Sequence, residues 1–170
     1  MYYIVVDLGT SAVKLLLMEG NGKIANIVSK EYPLYFPHPG WSEQKPEDWW
    51  EAVKCGLKEL VAGYDASKVA GISFGGQMHG LVMLDKDNAV IRPSIIWCDQ
   101  RTGKECQEIT AKVGAQRLIE ITANPALTGF TASKILWVRK HEAENYRRCR
   151  HILLPKDYIR FCMTGEYATE

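Results

Sequence analysis

The sequence opens with Tyr3-Ile-Val-Val-Asp-Leu-Gly-Thr-Ser-Ala-Val-Lys-Leu-Leu-Leu-Met18, in which two apolar runs flank a short polar turn. Gly20-Asn-Gly22 then contains an Asn-Gly pair that suits a type I′ turn, and Ile24–Lys30 is a third strand-like run. Three strands joined by two tight turns predict an antiparallel meander. Because the first two runs are apolar at almost every position, we expect both of their faces to be covered.

A helix and a further strand follow the meander. Pro33–Pro46 is a connector, and Pro46 suits the first turn of a helix. Apolar residues recur at helical spacing and predict one buried face: Trp49, Val53, Leu57, Leu60 and Val61. Val69–Phe74 is the next strand and leads into Gly75-Gly76. A strand, helix and strand in succession normally place the new strand parallel to an earlier one, so we predict an α/β fold with a mixed sheet.

The remaining sequence predicts a second hairpin and then mostly helices. Leu81–Leu84 and Ala89–Ile91 flank a polar turn, and Ser94–Trp97 is a short apolar run. Residues 102–150 have a helical pattern that Gly114 and Gly129 interrupt. Ile152–Leu154 and Pro155–Met163 complete the pattern as a last strand and a last helix.

Composition places the chain among ordinary globular proteins. It has 170 residues, of which 46% are hydrophobic and 24% are charged, and this length fits one domain. The formal net charge of +1 argues against nucleic-acid or anionic-membrane binding through bulk charge. No apolar run approaches the roughly 20 residues of a membrane-spanning helix, and the N-terminus lacks a signal-peptide pattern. The five cysteines form no Cys-X-X-Cys pair, so we expect free thiols and a cytoplasmic location.

The turn Asp7-Leu-Gly-Thr-Ser11 is the first candidate site. It combines a carboxylate, a glycine and two hydroxyls with the nearby Lys14. Glycine lets the backbone approach a ligand, and the N–H groups of a turn can face an anion. Since a carboxylate repels phosphate, the natural role of Asp7 is to hold Mg²⁺, directly or through water. The alternative is a hairpin with a polar tip, and the turn lacks the pattern of a Walker A loop.

Two later segments could bind a polyhydroxylated ligand. Gly75-Gly-Gln-Met-His-Gly80 follows the strand predicted to be parallel, and ligands in α/β sheets bind beyond the carboxyl ends of strands. Gln77 and His79 could exchange hydrogen bonds with hydroxyls, whereas the alternative is a flexible loop with a structural histidine. Two interpretations are open for the segment Trp97-Cys-Asp-Gln-Arg101. The Trp97 ring face and the nearby charged groups could bind a sugar, or the segment could be a strand end with Asp99 at the start of a helix.

In this order, the segments resemble the amino-terminal part of the FGGY-type carbohydrate kinases, with the xylulose kinases as the nearest members. Gln77-Met-His-Gly80 is the most specific element, since glycerol kinases carry a charged sequence there. The resembling residues span almost the whole chain: Asp7-Leu-Gly-Thr-Ser11, Pro37-His-Pro-Gly-Trp-Ser-Glu-Gln44 with Trp49-Trp50, Gly75-Gly-Gln-Met-His-Gly80, Arg92-Pro-Ser-Ile-Ile-Trp-Cys-Asp-Gln-Arg101, Gly129-Phe-Thr-Ala-Ser-Lys-Ile-Leu-Trp137 and Leu153-Leu-Pro-Lys-Asp-Tyr158.

The resemblance implies an actin-like ATPase domain built on a ribonuclease-H-like sheet, and ATP-dependent phosphorylation of D-xylulose at its 5-hydroxyl. It places Asp7 near Mg²⁺ and the transferring phosphate. It gives the phosphate loop to Gly9, Thr10, Ser11 and Lys14. It gives the sugar contacts to Gln77, Met78, His79, Trp97 and Asp99. We expect both sets of residues to serve one cleft.

The resemblance also implies that the catalytic base, an aspartate, and most of the adenine site lie outside residues 1–170. We therefore expect a partial amino-terminal kinase domain, truncated before the second domain, that turns over negligibly by itself. Apolar surface left exposed by the truncation would favour a homodimer.

Three rival interpretations stay open. The kinase could act on another sugar or polyol, such as ribulose, rhamnulose, gluconate or glycerol. The chain could instead be a non-catalytic module that binds a sugar or a nucleotide. An actin-like or chaperone-like ATPase would account for Asp7–Ser11 and would leave Gln77-Met-His-Gly80 unexplained.

Overall fold

The computed structural model describes residues 1–169, which divide into two compact units. The first unit combines Met1–Leu34, Lys45–Met78 and residues 155–169, and the second combines Tyr35–Gln44 with His79–Leu154. The chain therefore leaves the first unit twice and returns to it twice. In chain order the elements are β1 (Tyr2–Leu8), β2 (Ala12–Glu19), β3 (Ile24–Glu31), β4 (Glu43–Gln44), α1 (Pro46–Leu60), β5 (Val69–Gly76), β6 (Val82–Leu84), β7 (Ser94–Ile95), α2 (Gly103–Val113), α3 (Ala115–Thr122), α4 (Thr131–His141), α5 (Ala143–Arg148), β8 (His151–Leu153) and α6 (Pro155–Thr164).

A four-stranded mixed sheet in the order β3-β2-β1-β5 forms the first unit. β1, β2 and β3 pair antiparallel in succession, and β5 pairs parallel to β1. These pairings confirm the predicted meander and the parallel strand that follows the crossover helix. The parallel pairing brings the carboxyl ends of β1 and β5 to one edge of the sheet, with Asp7 beside Gly75 and Leu8 beside Gly76.

One face of this sheet is the main apolar core of the first unit. The core side chains alternate along β1 and β2 and meet α1: Ile4, Val6, Leu8, Val13, Leu15, Leu17, Trp49, Val53 and Leu60. A Cβ at Gly56 would lie 2.2 Å from Leu15 Cδ1, so glycine allows α1 to approach β2 closely. The opposite face leaves Tyr3, Asp7 and Lys14 exposed. The expectation that both faces are covered is therefore wrong, because α1 buries the alternate residues only.

The turn between β2 and β3 differs from the predicted type I′ turn. That turn requires positive φ at both central residues, whereas Gly22 has φ 90° and Asn21 does not lie in the positive region. Gly22 N–H donates to the Glu19 carbonyl oxygen over 2.9 Å, and the strand register shifts between Leu17 and Met18. The register shift leaves Ala25 of β3 as an extra residue outside the turn, and the Asn-Gly pair alone indicated neither feature.

Two short antiparallel pairs and a group of helices form the second unit. β4 pairs with β7, and β6 pairs with β8. Leu84 and Val90 make a single bridge, so the predicted 81–91 hairpin forms only in part, since β6 takes β8 as its main partner. The core packs β-strand residues against α4: Leu81, Met83, Ile95, Trp137 and Val138. Gly114, at φ 89°, separates α2 from α3 as predicted.

Two expectations from composition can be compared with the structure directly. All five cysteines are free, as expected. Over residues 1–169, none of the helices combines the length and the hydrophobicity needed to cross a bilayer.

Candidate active site

The turn between β1 and β2 is a tight backbone loop. Gly9 N–H donates to the Ala12 carbonyl oxygen over 3.0 Å, which closes the turn around Thr10 and Ser11. A Cβ at Gly9 would lie 2.9 Å from the same oxygen, so a side chain there would force the turn open. Glycine is therefore required at this position because the turn has no room for a Cβ.

Two side chains hold this loop from outside. The Gly9 carbonyl oxygen accepts hydrogen bonds from the Tyr32 hydroxyl and from Gln77 Nε2, the latter at 3.2 Å. Tyr32 N–H donates to the Ser11 carbonyl oxygen over 3.2 Å. Burial raises the pKa of the Tyr32 phenol, and the charge of Asp7 raises it further, so this hydroxyl stays a neutral donor. The loop is thus tied both to the end of β3 and to the segment after β5.

Asp7 and Lys14 are the charged side chains at this loop. They are opposite partners in the β1–β2 ladder, so their side chains share one face of the sheet, and both are exposed. Residues 1–169 hold no group of three or more His, Cys, Asp or Glu side chains arranged to bind a metal. Mg²⁺ is often held by one or two carboxylates with phosphate and water oxygens, and a single exposed carboxylate fits that requirement.

The second loop begins where β5 ends against β1. Gly76 has φ 145°, and a Cβ there would lie 2.4 Å from the Leu8 carbonyl oxygen and 2.7 Å from the Leu8 nitrogen. Gln77 N–H donates to that same oxygen over 2.6 Å. Gln77 is buried, with 8% of its surface exposed, whereas Met78 is 56% exposed. The structure therefore turns Gln77 toward the first loop and leaves Met78 open to a ligand.

His79 belongs to the second unit and has an unusual backbone conformation. Its φ is 63°, in the left-handed region. Its carbonyl oxygen accepts from Thr131 Oγ1 at 3.1 Å and from Lys134 Nζ at 2.6 Å, and its ring meets Phe130 edge-on at 4.5 Å. Burial lowers the pKa of the imidazole, and the charge of Lys134 lowers it further, so both effects favour the neutral ring.

A cavity of about 280 Å³ lies beside His79. Apolar side chains make up most of its wall, notably Ile109, Leu118, Leu127 and Phe130. A ligand in this cavity would therefore contact carbon more than polar groups, with His79 as its one titratable side chain.

Trp97 and Asp99 have different surroundings although they are two residues apart. Trp97 is 47% exposed, whereas Asp99 is completely buried. Asp99 Oδ2 accepts from Ser42 N–H at 2.6 Å, and both Asp99 oxygens accept from the Arg101 side chain at 2.7 to 3.0 Å. The Arg101 guanidinium also lies 3.7 Å from the ring centre of Trp41. Both carboxylate oxygens of Asp99 are thus engaged by the protein itself.

The structure brings the predicted phosphate-loop residues together with Gln77 and Met78 in the first unit. His79, Trp97 and Asp99 lie in the second unit.

Sequence reasoning missed Tyr32 and Lys134, the donors that fix the Gly9 turn and the His79 backbone. Lys134 lies within the segment Gly129–Trp137, and a lysine between the apolar positions of that helix was the available signal.

Comparison with known proteins gives a consistent result. Residues 2–170 match the family model described as the FGGY family of carbohydrate kinases, N-terminal domain. The chain is similar to the xylulose kinase of Bacillus subtilis (strain 168), with 49% identity over 171 residues that cover 99% of this chain and 34% of the relative.

Solved structures agree with this match. The xylulose kinase from Rhodospirillum rubrum has a TM-score of 0.96 and 30% identity, over 100% of this chain and 36% of that one. The gluconate kinase from Lactobacillus acidophilus has a TM-score of 0.91 and 32% identity, over 98% of this chain and 34% of that one. These likenesses confirm the predicted fold class. This chain spans about a third of the length of the proteins it matches.

Proposed function

This chain belongs to the FGGY family of carbohydrate kinases, and from that premise we propose that it forms the amino-terminal part of an ATP-dependent xylulose kinase. The product of that enzyme is D-xylulose phosphorylated at its 5-hydroxyl. The observation that carries the choice of sugar is the 49% identity to a xylulose kinase over 99% of this chain. The Gln77-Met-His-Gly80 element, with Met78 exposed, supports the same choice.

The first loop is proposed to hold the terminal phosphates of ATP. The bonds described above fix the loop backbone, and because Gly9 N–H is used within the turn, the donors proposed for the phosphates are those of Thr10 and Ser11. Preorganised donors stabilise an anion without reorganisation cost. Lys14 supplies a positive charge on the same face as Asp7. Asp7 would hold Mg²⁺, which would neutralise phosphate charge when bound. These groups position and stabilise charge, which is most of what phosphoryl transfer requires.

The second loop is proposed to hold the ketose. Met78 and His79 contact the sugar directly, and a neutral imidazole can donate to one hydroxyl and accept from another. Trp97 offers an exposed ring face for C–H groups. Gln77 and Asp99 act on the site through Gly9 and Arg101, because their polar atoms contact those residues. We place the general base outside residues 1–170.

Sugar binding gives the first test of this function. We expect the 170-residue chain to bind D-xylulose saturably in a calorimetric titration. His79→Ala is expected to weaken this binding about tenfold, the effect of losing one hydrogen bond of ordinary strength. His141→Ala, a histidine outside the proposed site, is the control and should bind like the parent chain. A folded chain that binds no D-xylulose would contradict the proposed contacts.

Turnover gives a separate test. Because a general base must lie within about 3 Å of the attacking hydroxyl, we expect no sugar-dependent ADP release from this chain with MgATP and D-xylulose. A coupled ADP assay measures this, with the sugar omitted as the blank. Clear sugar-dependent turnover would place the base within residues 1–170 and overturn that part of the proposal.

Gluconate is the second candidate substrate. The observation in its favour is the likeness to a gluconate kinase, at 32% identity and a TM-score of 0.91. Titrating the same chain with D-xylulose and with gluconate separates the two, since the tighter ligand identifies the sugar.

Location and assembly complete the proposal. The five free cysteines support a reducing, cytoplasmic environment. We also propose a homodimer, because Ile72, Phe36 and other large apolar side chains are exposed. Sedimentation of the purified chain tests the dimer, and a monomer at all concentrations would contradict it.

A further inference from the structure

Lys134 is a buried cation of the second unit, and the proposed phosphate and sugar contacts do not use it. Its side chain on α4 is fully buried, and within residues 1–169 it forms no ion pair with a carboxylate. Nζ donates instead to two backbone carbonyl oxygens, those of His79 and Gly129, each at 2.6 Å. Burial lowers its pKa to about 8, while the charge of Asp99 acts in the opposite direction.

Burying an ammonium group costs free energy, because its charge loses contact with water. Methionine has a similar length and would fill the same volume without removing a charge from water. What methionine could not supply is a donor to the two carbonyl oxygens. The position therefore gains from lysine only if those two oxygens need to be held.

The His79 oxygen belongs to a strained backbone. A non-glycine residue at φ 63° occupies a sparsely populated region and persists only where its surroundings fix it. Thr131 and Lys134, both in the first turn of α4, donate to that carbonyl oxygen. Phe130, immediately before α4, packs against the imidazole. The segment 129–134 thus holds both the backbone and the ring of His79.

We propose that Lys134 is a positioning residue for the sugar site, whose ammonium fixes the left-handed backbone of His79 and with it the direction of the imidazole. This inference rests on the proposed function in one respect, that His79 contacts the ketose. Lys134 itself does not touch the sugar. The charged or titratable groups that face Lys134 are Asp99, Cys98 and Arg101, together with the His79 imidazole.

The first experiment needs no sugar. In the 170-residue chain, Lys134→Met should shift the NMR signals of the His79 amide and imidazole. It should also raise the pKa of His79, because the nearby positive charge is gone. Lys140→Met on the same helix removes an exposed lysine paired with Glu105 and Glu108, and it should leave both readouts of His79 unchanged. Unchanged His79 signals in a folded Lys134→Met chain would overturn the proposal.

The second experiment separates positioning from charge. Thr131→Val removes the other donor to the His79 carbonyl oxygen and keeps the Lys134 charge. The NMR signal of the His79 amide should therefore move, while the pKa of the His79 imidazole should stay unchanged. In a D-xylulose titration, each of the two variants should bind about tenfold more weakly, and Lys140→Met should bind like the parent. If Lys134→Met does not fold, the His79 amide signal of the parent chain is followed as the pH is raised through the Lys134 pKa of about 8, and a signal that does not move overturns the proposal. If the parent chain binds no D-xylulose, the proposed function fails, and the His79 signals still decide whether Lys134 fixes that residue.

Discussion

Replacing Gly76 with alanine is expected to lower the free energy of unfolding by roughly 3–5 kcal/mol, which combines backbone strain with overpacking. A Cβ at Gly76 would meet three atoms of Leu8 within 2.7 Å, and two of them are backbone. Neither strand can give way cheaply, because Leu8 is fully buried. Urea unfolding followed by circular dichroism measures the change.

Gly75 provides the matched control for this variant. A Cβ at Gly75 would have no neighbour within 4 Å, so Gly75→Ala tests the chemistry of the substitution without the clash. We expect it to unfold close to the parent chain. Equal stability of the two variants would mean that β1 and β5 do not approach each other as described.

Replacing Arg101 with methionine is the second large expected effect, a loss of roughly 3–5 kcal/mol in the free energy of unfolding, because it leaves the buried Asp99 carboxylate without its ion-pair partner. Arg101 binds Asp99 through two nitrogens and pairs with Glu43 at 2.8 Å. Its guanidinium also stacks on Trp41, 3.7 Å from the ring centre. Without Arg101, nothing would offset the free-energy cost of burying the Asp99 carboxylate.

The same measurement on Arg117→Ala is the control. Arg117 makes an exposed ion pair with Glu120 within one helix, and such surface pairs contribute little. The free energies of unfolding of the two arginine variants should therefore differ by almost the whole loss expected for Arg101→Met. If Arg101→Met unfolds like the parent chain, the network that joins Asp99 to Glu43 does not hold the second unit together.

The first unit was largely predictable because its signals are local. The apolar runs of β1 and β2, and the helical spacing from Trp49 to Leu60, depend on near neighbours in the chain. The type of the β2–β3 turn and the bulge in β3 were not predictable, since the bulge depends on how Leu17 and Met18 align with that strand.

The sequence motifs predicted which segments form the candidate site, but they did not predict what each side chain in those segments contacts. Asp99 looks like a sugar contact in its own segment, but its partner Ser42 is 57 residues away. Lys134 looks like one more charge on a helix, and only the fold shows that it is buried beneath His79. Division into two units also depends on distant segments, which local patterns do not report.

The interleaving of the two units has a consequence for synthesis. α6 packs on α1 and β5, yet the residues of the second unit from His79 to Leu154 leave the ribosome before it. A nascent chain can complete the meander early, since its pairings have short sequence separation. The packing of α6 on α1 and β5 must come later. Contacts of such long separation slow folding, so the docking of α6 is expected to be a late step of folding.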